Sequence, residues 1–91
     1  IGPTDVENCV MEHDAVAESA AVGVPDELRG EVIKSFVVLK PGVVGTEELV
    51  SEIKSLVHKR LSAHAYPRFV EFVESLPKTP SGKIQRFLLR Q

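Results

Sequence analysis

The apolar positions change period along the chain, and each change marks an element. Val6, Cys9 and Val10 stand at i, i+3 and i+4, the spacing of one helix face. Thr4, with Glu7 three residues on, reads as the N-cap of a capping box. Asp5 and Glu7 lie where the helix dipole favours negative charge. The pattern predicts that this helix fades near His13 and Asp14. Ala20, Val22 and Val24 then alternate until Pro25-Asp26 breaks the run, which predicts a strand. Residues 32–39 are β-branched and aromatic, and apolar on both faces towards the end. That predicts a central strand covered on both sides. The polar link 25–30 carries Gly30, and strands joined so closely usually pair antiparallel.

Pro41-Gly42 ends the second strand, and Thr46 is placed to cap a second helix with Glu47 and Glu48 in its first turn. Leu49, Ile53, Leu56 and Val57 form its apolar stripe, and Lys59-Arg60 occupy the last turn, where cations are favoured. Pro67 stops any continuation. Residues 69–73 predict a short third strand, residues 76–83 a loop rich in Pro, Lys, Ser and Gly, and Ile84, Phe87 and Leu88 a terminal helix. The order is α-β-β-α-β-α: an α+β layer in which helices pack on a small three-stranded, mainly antiparallel sheet.

Composition fits that outline. A chain of 91 residues with 43% hydrophobic and 26% charged residues is one globular domain rather than a disordered tail. Its single cysteine, Cys9, excludes an internal disulfide. No apolar run is long enough to insert in a membrane, and the start carries no secretory signal pattern. Opening on Ile1 directly before a helix signal, the chain reads as a piece of a longer protein. The charge is uneven. Residues 1–53 hold 3 Lys/Arg against 11 Asp/Glu, and residues 54–91 hold 8 against 2. A basic half suits an anionic ligand, or is simply a solvated surface.

Several chemistries fail on spacing. Cys9 and His13 share a helix face at i, i+4, but two ligands make no zinc site, and His58 and His64 add no matching spacing. Gly82-Lys83 lacks the first glycine and the hydroxyl of a phosphate-binding P-loop, since Pro77 and Ile84 stand there. No Ser, Cys or His lies in a nucleophile signature. A free-standing regulatory or nucleic-acid-binding module would share the layer architecture, but the chain has no Gly-x-x-Gly clamp and no strand-borne aromatic pair. The informative stretch is the loop Pro77-Lys78-Thr79-Pro80-Ser81-Gly82-Lys83, whose two prolines and glycine direct its backbone. On residues alone, Lys83 either reaches into a cleft supplied by another body or is an ordinary exposed lysine.

Pro77-Lys78-Thr79-x-Ser81-Gly82-Lys83-Ile84-x-Arg86 resembles the C-terminal signature of the AMP-forming acyl-CoA synthetases, in the adenylate-forming superfamily. Other segments resemble the same domain in order: Ile1-Gly2-Pro3 with Val6-Glu7, then Val22-Gly23-Val24-Pro25-Asp26, Arg29-Gly30-Glu31, Phe36-Val37-Val38-Leu39, and Tyr66-Pro67-Arg68 with Glu71-Phe72-Val73. Medium-chain acyl-CoA and benzoate-CoA ligases look most similar, with acetyl-CoA synthetases sharing most motifs. Peptide-synthetase adenylation domains more often read Asn-Gly-Lys-Val-Asp where this chain has Ser81-Gly82-Lys83-Ile84-Gln85.

The resemblance implies residues 1–91 are the mobile C-terminal domain of an acid–CoA ligase whose large N-terminal adenylation domain is not in this chain. It implies three substrates: a carboxylic acid, ATP and CoA. Mg²⁺ would come with ATP and be held mainly by the N-terminal domain. Lys83 would be the adenylation lysine, with Pro77, Thr79, Ser81 and Gly82 positioning it. Arg29, Lys59, Arg60 and His58 would contribute to the CoA site. Ala65 stands where relatives often carry Lys. No nucleic acid is implied as a partner. The compartment expected is the cytoplasm, with the mitochondrial matrix as the alternative.

Overall fold

The computed structural model describes residues 2–61 and 67–90. Helix α1 spans Pro3–Val10, strand β1 Val16–Asp26, strand β2 Gly30–Leu39, helix α2 Glu47–Arg60, strand β3 Phe69–Phe72 and helix α3 Arg86–Leu89. This is the order the sequence pattern predicts.

The first helix starts earlier than its apparent cap. Gly2, not Thr4, is the N-cap. Pro3 takes the first helical position, where its fixed φ and missing N–H cost nothing. Asp5 then supplies the reciprocal half of a capping box, its Oδ2 accepting from the Gly2 N–H at 2.9 Å. Glu7 is therefore released from capping. The regular helix stops at Val10, and i→i+3 bonds from Glu12 N to Cys9 O and His13 N to Val10 O carry the turn on to His13. The second helix begins as its sequence indicates: Thr46 Oγ1 accepts from Leu49 N at 3.1 Å.

β1 and β2 form a long antiparallel hairpin running from Val16↔Leu39 to Asp26↔Gly30, with an irregularity between Val16 and Glu18. β3 adds to β2 in parallel, from Lys34↔Phe69 to Val37↔Phe72, so the sheet is mixed in the order β1-β2-β3. A parallel neighbour needs a long crossover, and α2 lies on it. β2 is the central strand, and both of its faces are covered. On one, α1 and α2 pack Val6, Cys9, Val10, Leu49, Ile53 and Val57 against Val16, Ala21 and Val37. On the other, the chain after β3 lays Val73, Leu76, Ile84 and Leu89 on Ala20, Val22 and Phe36.

The terminal helix departs from its predicted stripe. Ile84 and Leu89 pack inward, while Phe87 and Leu88 stay 57% and 41% exposed. The reason is the start point. The helix begins only at Arg86, so Ile84 belongs to the preceding hairpin arm and does not set the helical phase. Tyr66, Ala65 and His64 lie outside the described residues. Among the described residues, no helix is long and apolar enough to cross a membrane.

Candidate functional site

The stretch expected as a polar loop is a small hydrogen-bonded hairpin. Lys78 and Ile84 face each other in an antiparallel bridge. Thr79 N donates to Lys83 O at 2.8 Å, and Gly82 N donates to Thr79 O at 2.8 Å. These bonds define a three-residue loop, Pro80-Ser81-Gly82, whose last residue is left-handed, with Gly82 at φ +89°. Pro80 and Gly82 are the residues such a turn selects. Thr79 Oγ1 accepts from Lys83 N at 3.0 Å and lies 3.0 Å from Ser81 Oγ. Pro77 O accepts from Gln85 N at 2.9 Å, which closes the hairpin one step below the bridge. Thr79 thus holds the backbone of Lys83 directly, at its N–H and at its C=O, while Pro77 and Gly82 close the hairpin on either side and Ser81 lies against Thr79.

The hairpin is tied to the body on both arms. On the first, Lys78 Nζ pairs with Glu18 of β1. On the second, Arg86 Nε donates to Glu7 Oε2 at 2.6 Å and Arg86 Nη2 to Glu7 Oε1 at 2.5 Å. Glu7 Oε2 also accepts from Ala21 N at 2.8 Å. A carboxylate side chain only 8% exposed is tolerable because charged and backbone donors hold both of its oxygens. The hydrogen bond to Glu7 raises the Arg86 pKa above its usual value, against a smaller opposing effect of burial. Lys83 itself is exposed. Among the described residues, no hydrogen bond or ion pair engages its ammonium.

The candidate CoA contacts sit elsewhere. Arg29 is exposed in the tight β1–β2 turn, where its N–H donates to Asp26 Oδ2 at 2.9 Å and Gly30 turns the chain at φ +81°. His58, Lys59 and Arg60 are exposed on the last turn of α2. Arg60 Nη1 is 2.8 Å from Glu12 Oε1, so it already serves a helix-to-helix pair. Lys59 borders a shallow groove with His13, Ser51, Glu52 and Ser55. There His13 accepts from Ala15 N at Nδ1 and meets Glu52 through Nε2, each at 3.1 Å. Arg29, the α2 terminus and Lys83 therefore lie on three separate elements. Among the described residues, no three of His, Cys, Asp and Glu gather as metal ligands.

Sequence reading singled out Lys83 and its hairpin but missed Glu7 as a site residue. The available signal was its place beside the apolar stripe Val6, Cys9 and Val10, which a capping role explained too readily.

The chain matches the family model of the AMP-binding enzyme C-terminal domain over residues 5–83. It is 52% identical over 93 residues to acyl-coenzyme A synthetase ACSM3, mitochondrial, of Homo sapiens, covering 100% of this chain and 16% of that protein. It is 48% identical over 91 residues to 4-hydroxybutyrate–CoA ligase 1 of Metallosphaera sedula, with the same coverage of 100% and 16%. Among solved structures, an acyl-CoA synthetase of Brucella canis superposes with a TM-score of 0.95 at 62% identity, over 99% of this chain and 17% of that one. A benzoate CoA ligase of Burkholderia xenovorans does so at 0.91 and 47%, over 100% and 18%. The chain thus spans about a sixth of the length of the curated relatives it matches.

Proposed function

The chain belongs to the family of AMP-binding enzyme C-terminal domains, and on that premise we propose that residues 1–91 are the mobile C-terminal domain of an ATP-dependent, AMP-forming acid–CoA ligase. Its partner is the large N-terminal adenylation domain of the same protein. The observation that carries the reading is Lys83: an ammonium without a partner among the described residues, on a hairpin closed by four hydrogen bonds, two of them to its own backbone. Nearby Lys78 is consumed by Glu18. Lys83 is free to serve charges brought by a second body.

Two steps make the product. In the first, a carboxylate oxygen of the acid attacks the α-phosphorus of ATP. The bond to the bridging oxygen breaks and pyrophosphate leaves with its electron pair. Two anions must meet, and charge grows on the phosphoryl oxygens. A fixed cation in a water-poor cleft lowers that barrier, and Lys83 supplies it. In the second, the CoA sulfur attacks the acyl carbon, the thiol proton passes to solvent, and AMP leaves. The domain turns on its hinge between the steps, withdrawing Lys83 and presenting another face. Arg29, with His58, Lys59 and Arg60, then meets the anionic CoA nucleotide. The separation of these residues from the lysine hairpin suits a domain that uses two faces in turn. Mg²⁺ travels with ATP. In this reading it is held mainly by the N-terminal domain, and no step here runs through it. The compartment is the cytoplasm or the mitochondrial matrix, the latter in line with the mitochondrial synthetase among the relatives.

The test is Lys83→Ala in the full-length ligase, with the half-reactions measured apart. Adenylation falls on the order of 10²–10³-fold, the usual cost of one such donor. Thioester formation from preformed acyl-adenylate holds. Equal slowing of both steps overturns the assigned role.

A further inference from the structure

We propose that the Glu7–Arg86 ion pair is a latch that positions Lys83 for adenylation, making Glu7 and Arg86 positioning residues for that half-reaction. This rests on the reading of Lys83 as the adenylation lysine. The geometry is a two-armed mount. Since the Lys83 ammonium has no partner among the described residues, only its backbone ties determine where it stands. The first arm is held by Lys78 on Glu18. The second arm runs from Lys83, bonded to Thr79, through Ile84, which faces Lys78, and Gln85, bonded to Pro77, and ends at Arg86. Arg86 is anchored there by a two-pronged bond to α1.

The anchor is itself rigid. Glu7 is nearly buried, sits on α1 beside the core residues Val6 and Val10, and grips the β1 backbone at Ala21 N. Helix, sheet and hairpin therefore meet at one carboxylate. The fork of a guanidinium on both oxygens fixes direction as well as distance, which a lysine at position 86 would not do. A displacement of about 1 Å at a reacting group can cost on the order of 10²-fold in rate. Releasing Arg86 leaves the hairpin closed by its own bonds and seated on the second arm only by the apolar contacts of Ile84 and Leu89, which lack the directional hold of the fork.

The experiment uses the full-length ligase, with butyrate, octanoate and benzoate each tried as the acid. Adenylation is read as ATP–pyrophosphate exchange. The second step is read as CoA thioester formation from the matching acyl-adenylate. Arg86→Ala and Glu7→Gln lower exchange by about 10–10²-fold, while the thioester step stays within about twofold. Arg86→Lys, which keeps the charge but not the fork, falls between. In a Lys83→Ala background, Arg86→Ala adds nothing further, because it acts through a group already gone. Arg86→Lys and Glu7→Gln preserve most of the packing and carry the test if Arg86→Ala does not fold. If Lys83→Ala leaves exchange intact, the underlying reading of Lys83 fails. If Lys83→Ala slows exchange but the Arg86 and Glu7 variants do not, or slow both steps alike, the latch alone is overturned. Additive losses in the double variant overturn it too.

Discussion

The carboxylate of Glu7 and the guanidinium of Arg86 lie 79 residues apart in the chain and meet in a two-pronged ion pair. Glu7 belongs to the first helix and Arg86 to the first turn of the last. Their contact places the N-terminal helix directly behind the lysine hairpin, so the beginning of the domain supports the residue group that ends it. Arg86 keeps 36% of its side chain exposed while Glu7 keeps 8%. The pair is thus sheltered on the carboxylate side and open on the arginine side.

Gly82 tests the hairpin backbone separately. It sits at φ +89°, and a Cβ there would meet no atom within 4 Å. The cost of Gly82→Ala is therefore conformational, about 1–2 kcal/mol for a left-handed residue with a Cβ. Adenylation by the full-length ligase should fall with Gly82→Ala and fall less with Gly82→Asn, since asparagine tolerates this region. Equal losses in the two variants would count against the backbone argument.

Arg29 should report on the other face. It is exposed at the β1–β2 turn with its guanidinium unpaired among the described residues. Arg29→Ala in the full-length ligase should raise the apparent KM for CoA several-fold, by about 1 kcal/mol for one partly exposed charge-assisted contact. The KM for ATP should change less. An unchanged CoA dependence removes Arg29 from the site.

Cys9 makes a prediction about pH. Burial, helped by Glu12 and opposed by Arg60, pushes its thiol pKa up. The folded state thus holds the thiol proton more tightly than the unfolded state does. The associated stability is fully present below the unfolded thiol pKa of about 8.5 and is lost as pH rises through the higher folded value. Urea midpoints between pH 7 and pH 10 should decline more steeply for the native sequence than for Cys9→Ala. At neutral pH the native thiol should resist alkylation until the protein is unfolded.

Ser35 offers a gain. It is 0% exposed on the central strand, and its hydroxyl has no hydrogen-bond partner among the described residues. A buried unpaired polar group costs about 1–3 kcal/mol. Ser35→Ala removes it, and thermal unfolding should shift upward by about 4–8 °C per kcal/mol recovered. A lower melting temperature would show that the hydroxyl is engaged in solution.

Much of this domain is written locally. The element order, the Thr46 cap and the doubly covered second strand all follow from residues within one or two turns of each other, because periodicity and capping are short-range effects. The hairpin that carries Lys83 is local as well, since Pro80 and Gly82 dictate its turn. What the sequence left open needed distant partners. Gly2 rather than Thr4 caps α1 because Pro3 starts the helix two residues early, and that frees Glu7 for an arginine no local pattern could name. The parallel seating of β3 depends on how α2 crosses the sheet. The inward choice of Leu89 over Phe87 and Leu88 depends on where the hairpin ends. Hydrophobic period tells a residue that it has a face. Only the assembled layers decide what that face meets, because burial is shared among segments whose order in space the period does not encode.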